Sequence, residues 1–344
     1  MRLIEPLGML DGEAATAAVA RGLALPLAGG RLAFTLARLI DEDGARLAPV
    51  ADIPDIFAPE LARLTTPPPP WAGLPSGQPA VMGILNVTPD SFSDGGRHFD
   101  PEAAIAAGQA MAEAGAAIID VGGESTRPGA EAVAPEEEQL RILPVIRALA
   151  SRGVLISVDT RNAATMAAAL EAGAAIINDV SGLAHDPAAL ALVARRDCAV
   201  VMMHMRGAPA TMKSLATYGD VTLEVLAELG ARLAAAEHAG IAPARIALDP
   251  GFGFAKEGRQ NFDLMRRLAL FANFGRPLLI GVSRKRLVGM ASGEVEATRR
   301  APGSIAAGLY ALGHGALILR VHDVAETVQA VRVWDSLSDH GMLT

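Results

Sequence analysis

From residue 79 onward the chain alternates between short apolar runs and longer segments rich in Ala, Leu, Glu and Arg. The runs fall at 81–86 (VMGILN), 116–122 (AAIIDVG), 155–159 (LISVD), 175–179 (AIIND), 199–204 (AVVMMH), 245–249 (RIALD), 277–282 (PLLIGV) and 316–321 (ALILRV). They are too short for helices and nearly continuous in apolar character, the pattern of strands buried on both faces. The segments between them carry helix-start signals. Asp100-Pro101-Glu102 and Asp186-Pro187-Ala188 each set an N-cap Asp before a Pro at the first helical position. Asp323-Val324-Ala325-Glu326 reads as a capping box opening the last helix. Strand–helix units repeated eight times predict an α/β fold of the (β/α)8 TIM-barrel type, in preference to an open doubly wound sheet.

The first 78 residues break this rhythm. A hairpin is predicted from 30–40 through the Asp41-Glu42-Asp43-Gly44 turn to 45–50. Residues 65–77 (TTPPPPWAGLPSG) read as a stiff Pro-rich linker. The expected organisation is a small N-terminal appendage, residues 1–78, and a barrel domain, residues 79–344. Within the barrel, the polar tail that follows the first strand, up to Arg97, is longer than a turn requires.

Of the 344 residues 51% are hydrophobic, so a large core is available; only 4% are aromatic, so it must be built from aliphatic side chains. A net charge of −8 gives no overall attraction to a phosphate backbone and argues against nucleic acid as the main partner. No apolar run approaches the roughly 18–20 residues that span a bilayer. The start of the chain lacks the apolar core of a secretory signal. Cys198 is the single cysteine and its neighbours Ala199, Val200 and Val201 mark it as a core residue. A soluble cytoplasmic protein is expected, with neither a membrane nor a nucleic-acid partner.

In such barrels the active site lies at the C-terminal ends of the strands. Taking each tip in turn gives Asn86; Asp120 with Glu124; Asp159; Asn178 with Asp179; His204; Asp249; Ser283-Arg284-Lys285; and Arg320 with His322. Helix capping accounts for residues such as Asp179 and Ser181, but not for Lys285, Arg320 or His322. Arg284, Lys285, Arg320 and His322 gather cationic donors on the last two strands, where barrels frequently hold phosphate. Asp159, Asn178 and Asp249 offer acceptors and an amide to a flat heterocycle with adjacent N–H donors. The expected substrate class is therefore a phosphorylated or pyrophosphorylated heterocycle. No P-loop pattern and no zinc-type His/Cys cluster is present. His204 reads as a packed or hydrogen-bonded histidine. Met202, Met203 and Met205 read as core or as the soft wall of a flat-ligand pocket, and Glu136, Glu137 and Glu138 as a solvated first helical turn.

At these residues the sequence resembles the dihydropteroate synthase family, the folate-pathway enzymes targeted by sulfonamides. The resemblance rests on GILNVTPDSFSDGG (83–96), DVGGESTRPG (120–129), SVDT (157–160), INDVSG (177–182), MHMRG (203–207), DPGFGFAK (249–256), GVSRKR (281–286) and RVHDV (320–324), in the family's order. Residues 1–78 are not covered by it. The resemblance implies condensation of 6-hydroxymethyl-7,8-dihydropterin pyrophosphate with 4-aminobenzoate to give 7,8-dihydropteroate and pyrophosphate. It implies that Asp159, Asn178, Asp249 and Lys285 hold the pterin. Asn86, Arg320 and His322 would hold the pyrophosphate, with Asn86 also beside Mg2+. Thr126, Arg127, Pro128, Phe254 and Lys285 would shape the aminobenzoate pocket. Asn86, Asp159, Lys285, Arg320 and His322 are the expected catalytic set, and a homodimer is implied by the family alone.

An arylamine nucleophile needs no strong general base, so departure of pyrophosphate is the step to assist, and dissociative substitution is the expected mechanism. The segment 88–96, hinged at Gly95 and Gly96, is expected to act as a lid closing with 125–129 over the second substrate. Two departures from the family pattern stand out: Ala255 where relatives often have Gly, and Arg286 where some have Ser. Two rival readings are a pterin-dependent methyltransferase barrel, which would have no use for a pyrophosphate pocket, and a non-catalytic pterin-binding paralogue.

Overall fold

The computed structural model describes residues 2–88, 100–124, 133–208 and 210–338. Its centre is a ring of parallel strands: β5 (Ala80–Asn86), β6 (Ile118–Gly122), β7 (Ile156–Asp159), β8 (Ile176–Asp179), β9 (Ala199–Met203), β10 (Ile246–Asp249), β11 (Leu279–Ile280) and β12 (Ile318–Val321). Hydrogen bonding follows the order β10-β9-β8-β7-β6-β5-β12-β11, and an isolated parallel bridge between Leu248 and Leu278 joins the two ends. The predicted (β/α)8 barrel is therefore the observed fold. Seven of the eight sequence runs contain their strands, trimmed by up to two residues at an end, and β5 begins one residue before its run.

The nearly continuous apolar pattern has a direct cause. Alternate strand residues face two separate cores. Met82, Ile118, Ile176, Val201, Ala247, Leu279 and Ile318 fill the barrel interior. Leu85, Val121, Val158, Ile177, Val200 and Leu248 face outward against the helices. Those helices are α3 (Pro101–Glu113), α4 (Pro135–Ala150), α5 (Ala163–Glu171), α6 (Ala189–Arg195), α7 (Val221–His238), α8 (Arg259–Arg266), α9 (Arg286–Ser292), α10 (Ala301–Leu312) and α11 (Val324–Ser338). Among the described residues, no helix is long and apolar enough to cross a membrane.

The helix-start signals met mixed outcomes. Asp100 caps α3 as predicted, its side chain accepting from the Glu102 and Ala103 amides. Asp186 does not open its own helix, which begins at Ala189. One carboxylate oxygen takes the Ala188 amide and the other takes the Ala163 amide at the start of α5. The Asp323 carboxylate is drawn to the Arg284 guanidinium instead of the N-terminus of α11. Glu138 corrects the solvated-turn reading: Glu136 and Glu137 are exposed, but Glu138 is fully buried and accepts from Asn162 Nδ2 and Thr165 Oγ1.

In the N-terminal region β3 (Leu32–Asp41) pairs antiparallel with β4 (Gly44–Pro49), across the turn that the sequence suggested. It pairs also with β1 (Leu3–Asp11) and β2 (Leu25–Leu27), neither of which was expected. Two further helices, α1 (Gly12–Ala20) and α2 (Ala58–Thr65), belong to this region. It is fastened to the barrel by buried polar contacts. Glu5 receives Arg267 and Arg38, and the Asn273 side chain bonds both the amide and the carbonyl of Ile4.

The Pro-rich stretch does more than span a gap. It inserts Trp71 into the floor of the barrel, where the ring joins the interior core beside Ala80, Ile118, Ile176 and Ala199. The Trp71 indole N–H donates to the Arg245 carbonyl at 3.0 Å. Replacing Trp71 by Ala is expected to destabilise the protein by about 3–5 kcal/mol, the usual cost of emptying a large core site. Urea unfolding measures this directly. A change within about 0.5 kcal/mol, typical of surface positions, would mean that the segment is only a tether.

Candidate active site

The strand register places the polar residues together at one end of the ring. Asp159 and Asn178, at or near the ends of β7 and β8, pair directly with each other, and Asp120 within β6 pairs with Ser157, two residues below Asp159. Arg320 comes from β12, across β5 from β6. Its guanidinium reaches over the barrel mouth, donating through Nε to Asp120 Oδ2 and through Nη2 to Asp159 Oδ2, each at 2.6 Å. Asn178 Nδ2 donates to the same Asp120 oxygen at 2.9 Å. Asp120 Oδ1 is buried and has no partner among the described residues.

Burial governs the charges here. It pushes the Asp159 carboxyl up to about 7; Arg320 opposes the rise and Asp120 adds to it. Burial works against the Arg320 charge too, but the Asp120 and Asp159 carboxylates outweigh it and raise its pKa. The cation therefore persists while one of the two carboxylates, Asp159, is poised to titrate near neutrality.

Asp249 and Lys285 form the opposite wall. Burial raises the Asp249 pKa, with Lys285 and the Gly251 amide acting in the other direction. The Asp249 side chain accepts from the Gly251 amide at 2.7 Å. Burial brings the Lys285 ammonium down to about 8, although Asp249 supports its charge. Lys285 Nζ donates to the Phe252 carbonyl at 2.6 Å and lies 4.7 Å from the centre of the Phe254 ring. Gly281 lies at this convergence: a β-carbon there would stand at ordinary contact distance, 3.9 Å, from Asp249 Oδ2, Lys285 Nζ and Arg320 Cβ alike.

Asn86 ends β5, between the strands that carry Asp120 and Arg320. His322 follows β12, and its backbone amide and ring Nδ1 both lie 3.1 Å from Ser283 Oγ. A serine hydroxyl that accepts from the amide and donates to Nδ1 leaves the N–H on Nε2. Arg284 does not join the cationic group. It is spent on Asp323, and its backbone sits in the left-handed region at φ +59°. Arg320 likewise is committed largely to carboxylates, so it is a weaker anion receptor than a free guanidinium.

The structure thus brings together Asp159, Asn178, Asp249, Lys285 and Arg320, and sets Asn86 and His322 on neighbouring strands. Phe254 stands beside Lys285. Thr126, Arg127 and Pro128 lie outside the described residues, as does nearly all of the segment expected to form a lid. Arg286 is exposed at the first turn of α9. Ala255 adopts φ +48°, a conformation that favours glycine. Asp120 was picked out as a polar strand tip but given no binding or catalytic role; the structure makes it the hub that Asn178 and Arg320 share.

Two other expectations are settled by burial. His204 is fully buried and hydrogen-bonded to Glu228 and Lys256, as a packed histidine should be. Met202 enters the main core, whereas Met203 and Met205 join a smaller cluster with Met212, Val180, Ala255 and Phe254.

Comparison with known proteins bears on the same residues. The pterin binding enzyme family matches residues 82–322, which span every site position from Asn86 to His322. The dihydropteroate synthase of Neisseria meningitidis serogroup C is 49% identical over 264 residues, covering 76% of this chain and 93% of that protein. The solved dihydropteroate synthase of Xanthomonas albilineans with 4-aminobenzoic acid is 49% identical with a TM-score of 0.72, covering 76% of this chain and 93% of that one. Its complex with 7,8-dihydropteroate gives 46% identity and a TM-score of 0.69, with 76% and 94% covered. A barrel whose mouth gathers these buried acids, amide and cations, matched over nearly the full length of such relatives, belongs to the pterin-binding enzymes, in the dihydropteroate synthase family.

Proposed function

We propose that the chain condenses 6-hydroxymethyl-7,8-dihydropterin pyrophosphate with 4-aminobenzoate, yielding 7,8-dihydropteroate and pyrophosphate. The observation that carries this reading is the buried floor of Asp120, Asp159, Asn178 and Arg320 facing Asp249 and Lys285. A pterin ring presents adjacent N–H donors that suit Asp249 on one edge and Asp120 Oδ1, the unpartnered acceptor, on another. Asn178 adds an amide that can both donate and accept. Solved relatives crystallised with 4-aminobenzoic acid and with 7,8-dihydropteroate support the same substrates.

The arylamine is uncharged near neutral pH and carries its own lone pair, so the protein need not supply a strong base. Its main task is to help pyrophosphate leave. His322, through Nε2–H when Ser283 donates to Nδ1, and the Arg320 guanidinium would act as donors to that departing charge. Asn86 adds one neutral oxygen beside them, and among the described residues no group of three or more His, Cys, Asp or Glu side chains could cage a metal. A single oxygen donor next to substrate phosphates suits Mg2+, which keeps most of its waters, and when bound the ion would offset charge on the leaving group. The methylene carbon left behind shares its positive charge with the pterin ring, which favours dissociative substitution. Lys285 and Phe254 stand where the amine would approach. A homodimeric, cytoplasmic enzyme completes the proposal, on family likeness alone.

Pyrophosphate release by the purified protein is expected only with pterin pyrophosphate, 4-aminobenzoate and Mg2+ all present. Silence under those conditions would point to the non-catalytic paralogue. Asp249→Ala and Lys285→Ala should each weaken pterin binding by a hundredfold or more, because each leaves a buried partner charge uncompensated at a cost of about 3–5 kcal/mol. Wild-type-like calorimetric affinity in both variants would remove these residues from the pterin pocket.

The pH dependence follows from the two shifted groups. Asp159 becomes an acceptor carboxylate as pH rises through about 7, and Lys285 loses its charge as pH rises through about 8. kcat/KM should therefore climb on the acid side and fall on the alkaline side, and Asp159→Asn should remove the acid limb. The linkage sign is opposite for stability. A carboxyl raised from its ordinary value stabilises the unliganded fold most at low pH, and this contribution is lost as pH rises toward about 7. A kcat/KM profile that is flat between pH 6 and 9 would contradict the assignment.

A further inference from the structure

The loop after β10, residues 250–256, is an unusual piece of backbone. Gly251, Gly253 and Ala255 all have positive φ, at +72°, +79° and +48°. Gly251 has no alternative: a β-carbon there would fall 2.0 Å from the His204 carbonyl oxygen. An alanine held at positive φ costs on the order of 1 kcal/mol, so something must hold the loop in this shape.

Lys256 is placed to do so. It is buried, and its ammonium donates to the Gly251 carbonyl at 3.0 Å, the Phe254 carbonyl at 3.0 Å and His204 Nδ1 at 2.8 Å. Burial holds the Lys256 pKa well below its ordinary value, against the support of the Asp249 carboxylate; as the ammonium, its three N–H donors meet three acceptors, two of them the carbonyls that the turn directs inward. The acceptor role of Nδ1 fixes the histidine tautomer. Nε2 must carry the proton, and it lies 3.0 Å from Glu228 Oε2. Burial and the nearby cations take the His204 pKa down to about 2, so the ring stays neutral and can accept. Glu228 in turn bonds the Arg206 guanidinium, which also reaches Glu224. A chain Lys256–His204–Glu228 therefore ties the loop to helix α7.

What the loop carries makes this consequential. The Phe252 carbonyl is the acceptor that aims Lys285 Nζ, and the Phe254 ring lies beneath the same ammonium. Among the described residues, the pterin-facing groups hydrogen-bonded to this loop are Asp249 and Lys285, whereas Asp120, Asp159, Asn178 and Arg320 are hydrogen-bonded to one another. Resting on the function proposed above, we infer that Lys256 is a positioning residue for the arylamine half of the site. Through loop 250–256 it sets the placement of Phe254 and of the Lys285 ammonium, without touching substrate.

Lys256→Met keeps the length and apolar stem but removes all three donors. Steady-state pyrophosphate release by the full-length variant should show the KM for 4-aminobenzoate raised at least tenfold, with the calorimetric Kd for the pterin substrate raised by a clearly smaller factor, since Lys285 serves both substrates. Glu228→Gln, at the partly exposed end of the chain, keeps an acceptor for His204 but drops the charge. It should raise the same KM by two- to fivefold and serves if the first variant folds poorly. A purely structural lysine would lower the melting temperature while the surviving enzyme kept both constants. Unchanged KM for 4-aminobenzoate in both variants, or equal loss of both substrates, would overturn the inference. Absence of turnover by the wild-type protein would instead overturn the function beneath it.

Discussion

Two carboxylates on adjacent strands, Asp120 and Asp159, share the buried mouth of the barrel because one guanidinium lies between them. Without Arg320 their repulsion would be felt with little water to screen it. Each ion also loses hydration on burial, so the arrangement adds little stability by itself. Its value is in what it leaves available: a fixed cation, a carboxyl poised near neutrality and a carboxylate oxygen with no partner among the described residues. A hydrogen-bonding substrate can supply what the protein alone does not.

The barrel makes that triad cheap to position. Parallel strands in register pair Asp159 with Asn178 and set Asp120 two residues lower on the next strand, so no loop has to find them. Arg320 needs a long side chain because β5 separates its strand from β6. Small residues lie against these groups, Gly122 against Asp159 and Gly281 against Asp249, Lys285 and Arg320. The interior core and the Trp71 plug hold the ring from below. The polar mouth thus sits on a packed apolar column, which limits how far its charges can relax.

Much of this was legible in the sequence, and for physical reasons. Strands buried on both faces must be apolar throughout, so all eight barrel runs could be seen, and a polar residue at a tip then stood out. The residues that escaped notice depend on distant partners. Glu5 lies in LIEPLGMLD, whose Pro and Gly obscure a strand; it is buried only because Arg267 and Arg38 converge on it. Trp71 was hidden among prolines that suggested a linker. Asp186 caps the helix of an earlier unit, and Glu138 turns inward to Asn162 and Thr165. Lys256 in a glycine-rich loop looks like any solvated lysine until Gly251, Phe254 and His204 are seen to surround it. Periodicity reports which face is buried; it cannot report which polar groups meet there.

The two halves of the site rest on different supports. The Asp120–Arg320–Asp159–Asn178 group is built on strand ends and braced by its own charges. The Lys285–Phe254 wall is built on a loop with three positive-φ residues, stitched from behind by a buried ammonium. Asp249 joins them, because its carboxylate takes the Gly251 amide and its backbone carbonyl takes the His204 amide. A ligand that draws on the Asp249 carboxylate therefore pulls on the first turn of the loop, and through it on the carbonyl that aims Lys285. Asp249 is thus the residue that the two halves of the site share.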